Sequence, residues 1–199
     1  MKITTLFLLT ACMVCAEEKP PCCRETAATA PMTDKSLYQL KSTWTSDVGK
    51  EINLAVLRGR PQVVAMFFTS CEYACPIIVE NMKSVERAIP KSLRDKVDFL
   101  LVSFDVKNDT VEALKAYRAK KELANTHWSL LRGKEDDVRE LAALLGINYQ
   151  RDARGQFSHS NTISVLNAEG EIVFQQAGLN KDAKETVAAI ENTLSAKTP

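Results

Sequence analysis

Apolar and polar positions along the chain follow two periods. Residues 62–68, QVVAMFF, are almost wholly apolar and stop abruptly at Thr69 and Ser70. Such a run predicts a buried strand. Ile78, Met82, Val85 and Ile89 then fall at i, i+4, i+7 and i+11, the spacing of one helical face, and Pro90 ends it. Residues 97–104, VDFLLVSF, predict a second buried strand. After it, Thr110 is placed to cap a helix carrying Val111, Leu114 and Tyr117. Residues 127–131 predict a third strand. Residues 135–145 predict the clearest helix, with Val138, Leu141, Ala142 and Leu145 on one face and Gly146 as its stop. Residues 148–157 read as a loop. Residues 162–166 and 171–175 read as a hairpin around Asn167-Ala168-Glu169-Gly170, and Ala183, Val187, Ile190 and Leu194 mark a last helix. Ahead of all this, residues 37–45 alternate like a strand, Asp47-Val48-Gly49 turns, and residues 50–54 return.

Strands alternating with helices predict an α/β fold whose central sheet is mostly parallel and covered on both faces. The first helix follows a loop containing Cys71 and Cys75. A thiol pair after the first buried strand makes this order look like a thioredoxin-like fold with an N-terminal hairpin and an inserted helix unit.

Length and composition add boundaries. The 199 residues suit one domain with a tail; 45% are hydrophobic and 26% charged, as in ordinary globular chains. A net charge of +1 without a basic block gives no footprint for nucleic acid. No apolar run approaches the roughly 18 residues of a spanning helix. Residues 1–16 read as an export signal, with Lys2 before a short apolar stretch. Leu9-Thr10-Ala11-Cys12 resembles a bacterial lipobox, which would lipidate Cys12; Val14-Cys15-Ala16 offers an ordinary cleavage site instead. The expected setting is therefore the cell envelope, on the periplasmic side, with a possible membrane tether. Residues 17–35, rich in Pro, Thr and Ala, read as a flexible linker carrying Cys22 and Cys23, either a spare thiol pair or an incidental one. The folded domain is expected over residues 36–199. Six cysteines split among signal, tail and domain do not form a disulfide scaffold.

The chemistry concentrates at Cys71 and Cys75. Two thiols four residues apart at a helix start can close a disulfide or hold one soft metal ion. They can also be two buried, inert hydrophobes. The helix N-terminus is expected to lower their pKa, with Glu72 opposing slightly. Of two histidines, His159 lies just before the terminal hairpin, in a loop that a thioredoxin-like fold brings near the thiols. A Cys–Cys–His set suits copper(I), and its imidazole also accepts copper(II). His127, at the start of a strand, reads as structural. Asp105 reads either as a partner supporting the site or, with Asp109, as turn and helix-cap chemistry.

These residues carry a resemblance. Thr69-Ser70-Cys71-Glu72-Tyr73-Ala74-Cys75-Pro76 resembles the Cys-x-x-x-Cys-Pro motif of the SCO/SenC proteins, copper chaperones of cytochrome c oxidase assembly. Ser103-Phe104-Asp105-Val106-Lys107-Asn108-Asp109-Thr110 is similar to that family's Asp-Pro-x-x-Asp-Thr segment. Trp128-Ser129-Leu130-Leu131-Arg132-Gly133 resembles its next strand, and His159-Ser160 with residues 163–170 resembles its histidine segment and hairpin. The resemblance spans residues 44–178. Two positions depart from it: Glu72 and Val106 stand where the family usually has proline. The resemblance implies Cys71, Cys75 and His159 as ligands of one copper ion. It further implies the copper-accepting subunit of cytochrome c oxidase and a thiol reductant as partners. The competing expectation is an enzyme, a thiol–disulfide oxidoreductase or peroxidase using Cys71 and Cys75 without metal. Thioredoxin-type reductases carry a pair one residue closer, and that alternative leaves His159 without a role.

Overall fold

The computed structural model describes residues 32–123, 126–152 and 157–196. The readings on residues 1–31, Cys12, Cys22 and Cys23 included, lie outside them. Three parallel strands form the centre: β3 (Gln62–Phe67), β4 (Asp98–Ser103) and β5 (Trp128–Arg132). β1 (Trp44–Ser46) and β2 (Glu51–Ile52) form the expected N-terminal hairpin, antiparallel on the β5 side. β8 (Thr162–Leu166) and β9 (Ile172–Ala177) form the terminal hairpin, antiparallel on the β3 side. The sheet order is β2-β1-β5-β4-β3-β8-β9. This is the thioredoxin-like arrangement, with a parallel centre and antiparallel flanks. All six residues of β3 are buried, which is why its sequence after Gln62 is continuously apolar rather than alternating.

Among the described residues five α-helices complete the fold: α1 (Ala74–Ala88), the short α2 (Lys91–Arg94), α3 (Val111–Lys120), α4 (Glu135–Leu144) and α5 (Lys184–Ser195). α1 buries Cys75, Ile78, Val79, Met82 and Val85. Thr110 caps α3 by accepting the Ala113 amide. Gly146, at φ +64°, closes α4: its own amide reaches Ala143 O, and that of Ile147 reaches Ala142 O.

Two elements differ from the sequence expectation. Leu37–Gln39 is a 3-10 turn, not the start of a strand. The Ser36 hydroxyl accepts the Tyr38 amide and donates to Glu169 O, bending the chain where an extended path was expected. The chain thus enters the domain beside the β8–β9 turn, where Thr33 also bonds Glu171. Residues 148–157 are not plain loop. β6 (Tyr149–Arg151) and β7 (Phe157–His159) form a separate two-stranded sheet.

Candidate metal centre

The site lies at the carboxyl ends of the parallel strands, the usual position in open α/β sheets. After β3, residues 68–71 make a turn closed by the Cys71 amide on Phe68 O (3.3 Å). Cys71 precedes the helix and is partly exposed. Cys75 sits in the first turn of α1 and is fully buried. The Cys75 amide donates to Cys71 Sγ at 3.3 Å, so the sulfur takes a first-turn N–H that no side-chain cap reaches. Glu72 and Tyr73 are exposed.

His159 arrives from the other direction, at the end of β7. Its Nδ1 pairs with Ser160 O at 3.1 Å, which assigns the proton to Nδ1 and leaves Nε2 as an acceptor. Nε2 lies 3.7 Å from Cys75 Sγ. The sequence could not show what steadies this ring. Its centroid lies 5.0 Å from that of Phe104 and 6.1 Å from that of Phe68, the latter edge-on. Phe104 in turn stacks on Tyr149 at 5.2 Å and meets Phe157 at 5.0 Å. The hairpin therefore brings its own aromatic residues to a wall that begins at the ends of β3 and β4. In the sequence this hairpin leaves only a short trace, the alternation of Tyr149 with Arg151 and of Phe157 with His159.

Electrostatics differ from the expectation in one respect. Burial pushes the Cys75 thiol far above its ordinary range, outweighing the hydrogen bond from the Phe68 backbone. Smaller upward pushes come from Cys71 and Asp109. Burial also holds the His159 imidazole below its ordinary range, partly offset by Ser160, so the ring is neutral near pH 7.

Asp105 and Asp109 separate in role. Asp105 accepts the Asn108 amide (3.2 Å) and its side-chain Nδ2 (2.7 Å), which is turn chemistry. Asp109 is not only part of a helix start. Fully buried, it accepts the Thr69 amide (3.0 Å), the Thr69 hydroxyl and the Ser103 hydroxyl. Its carboxyl is pushed upward by burial, against the pull of those three donors. His127 is structural, as expected. It bonds Asp98 at 3.0 Å at the opposite end of the sheet.

The ligand atoms of Cys71, Cys75 and His159 all lie within 4.8 Å of one another. A metal about 2.0–2.3 Å from each donor needs donors about 3.5–4 Å apart in a trigonal site. The 3.7 Å between Cys75 Sγ and His159 Nε2 meets that demand. Two sulfurs and one imidazole, with no carboxylate among them, are a soft donor set.

A model of the SCO1/SenC family matches residues 31–195. A SCO1 protein homolog of Bacillus subtilis (strain 168) is 24% identical over 161 residues, covering 78% of this chain and 81% of the relative. The structure of Arabidopsis thaliana ScoI with copper bound superposes with a TM-score of 0.68 at 18% identity, covering 78% of this chain and 96% of that one. A SCO1/SenC family lipoprotein from Bacillus anthracis str. Ames superposes with a TM-score of 0.68 at 22% identity, covering 76% and 92%.

Proposed function

Because the chain belongs to the SCO1/SenC family, we propose that it is a copper chaperone. In this reading one copper ion is its cargo, held by Cys71, Cys75 and His159, and is passed to the binuclear copper centre of cytochrome c oxidase. The observation that carries the reading is the convergence of those three donors from two separate elements, with Nε2 left open by the Ser160 bond. Two thiolates favour copper(I), and the imidazole makes copper(II) acceptable too. Copper-bound ScoI, with the same fold, supports the choice of metal.

The chain's own residues do three things here. Cys71, reachable from solvent, takes the incoming ion; Cys75 holds it from the buried side; His159 closes the site as a neutral ligand. We place this activity in the cell envelope, with Cys12 as the proposed lipid attachment. Among the described residues no helix is long and apolar enough to cross a membrane. The fold relative from Bacillus anthracis, itself a lipoprotein, supports the tether.

A second reading uses the same pair. Cys71 would attack a disulfide of the acceptor centre and Cys75 would displace the mixed disulfide. Two electrons would pass to the acceptor, leaving Cys71–Cys75 oxidised. The exposed-then-buried order of the two sulfurs favours it.

Copper titration of the purified, reduced protein decides between them. The expected result is uptake of one equivalent with a thiolate-to-copper absorption band. Cys71→Ala or Cys75→Ala should abolish tight binding, and His159→Ala should weaken it. Wild-type affinity in Cys75→Ala would overturn the assignment. Fast insulin-type disulfide reduction without the band would favour the second reading.

A further inference from the structure

The two sulfurs are within 4.8 Å of each other and both cysteines are free. A disulfide needs them about 2.05 Å apart. The pair must therefore close by movement, and the two cysteines differ in how firmly they are packed. Cys75 is fully buried on α1 as part of the hydrophobic core. Cys71 is partly exposed and lies at the end of the 68–71 turn, its sulfur resting on the Cys75 amide. Closure takes Cys71 off that amide, and whatever side-chain rotation does not supply must come from the turn.

Thr69 is the second residue of the turn, and it is held twice. Its amide and its hydroxyl both donate to the Asp109 carboxylate. Asp109 is fixed from behind: its amide donates to Asp105 O at 3.0 Å, its carbonyl accepts Arg132 Nε at 2.7 Å, and its carboxylate also takes the Ser103 hydroxyl. A bond from a neutral donor to a buried carboxylate is stronger than one between neutral groups. The turn is thus fastened to β4 through Ser103 and to β5 through Arg132.

We propose that Asp109 is a positioning residue for the thiol pair, which by fastening Thr69 holds Cys71 open and favours the dithiol over the disulfide. The inference deepens the chaperone reading and rests on it for its purpose, since only an open pair can take copper. Its test is metal-free.

The metal-free protein is equilibrated with glutathione buffers. Cys71 and Cys75 thiols plus oxidised glutathione give the intramolecular disulfide and two reduced glutathiones, with two electrons passing to glutathione. Thr69→Val removes the hydroxyl donor and keeps shape and amide. Asp109→Asn replaces one acceptor oxygen by a donor facing donors. Both should shift the equilibrium about tenfold or more toward the disulfide, which for a two-electron couple is about 30 mV in the reducing direction. Ser103→Ala removes a donor to the same carboxylate without touching the turn. Because Ser103 also fastens Asp109 to β4, this variant should lower the Tm and shift the potential in the same direction, but by less than Thr69→Val does. If Thr69→Val lowers the Tm as Ser103→Ala does and leaves the potential at the wild-type value, Asp109 is only a structural carboxylate and the proposal falls. Should Asp109→Asn not fold, Thr69→Val carries the test alone. Failure to bind copper would overturn the chaperone reading and leave these potentials as they are.

Discussion

Copper(I) uptake should depend steeply on pH, and Cys75 sets the minimum slope. Burial pushes its thiol far above the ordinary range, so the metal-free protein carries that proton throughout pH 6–8. A metal takes the thiolate, so binding expels the proton. Since a proton is released, raising the pH favours binding. One proton gives a factor of ten per pH unit, worth 1.36 kcal/mol. Between pH 6 and pH 8, Cys75 alone should therefore strengthen binding about a hundredfold, roughly 3 kcal/mol. His159 should add little, because burial holds its imidazole below the ordinary range and it has no proton to give over most of that window. The assay is competition against a chromophoric copper(I) chelator of known proton dependence, under reductant, at pH 6, 7 and 8. His159→Ala should weaken binding yet keep the slope. A flat affinity over the two units would refute the reasoning, because the buried thiol would then not be the group displaced.

Three further outcomes can be checked. Gly170 has φ +86°, and an added Cβ would lie 2.5–2.8 Å from ring atoms of Tyr38. Gly170→Ala should therefore cost about 2–4 kcal/mol in denaturant unfolding while copper stoichiometry is retained. Asp47, with 3% of its side chain exposed, pairs with Arg118, which also bonds Leu123 O and Trp128 O. Asp47→Ala strands that guanidinium and should cost about 3 kcal/mol; a loss under about 0.5 kcal/mol would mean that solvent replaces the carboxylate. Cys12→Ser should move the protein out of the membrane fraction, and a wild type found wholly in the soluble fraction would instead favour the ordinary signal peptide.

The strand, loop and helix spanning residues 62–89 were legible because burial on both faces of β3 and on one face of α1 writes itself into the spacing of Val63 to Phe67 and Ile78 to Ile89. Cys71 and Cys75 stood out because they fall where the strand pattern ends and the helical one begins. The short elements were not legible. β6 and β7 have three residues each, and part of their surface faces solvent, so alternation over so few positions carries little signal. Leu37–Gln39 has the pattern of a strand but is decided by the Ser36 hydroxyl and by packing of Tyr38 on Gly170, 132 positions away. The thiol shift was misjudged because a helix terminus is visible in sequence and the depth of Cys75 is not. Asp109 was read as local cap chemistry because its acceptance from Thr69, forty positions earlier, exists only in three dimensions.

The separate two-stranded sheet has a mechanical consequence. The proposed ligands are divided between a rigid body and an arm. Cys71 and Cys75 follow directly from β3, inside the seven-stranded sheet, whereas His159 ends a three-residue strand that pairs with β6 alone. Peeling β7 away breaks no ladder of the main sheet, only its pairing with β6 and the aromatic contacts of Phe157 and His159, so its opening should cost less than opening the main sheet. Amides of residues 149–151 and 157–159 should exchange with deuterium orders of magnitude faster than those of β3. In the proposed chaperone role the imidazole would let go while both sulfurs keep their grip, which would give release an order: the arm first, the outer sulfur next and the inner sulfur last.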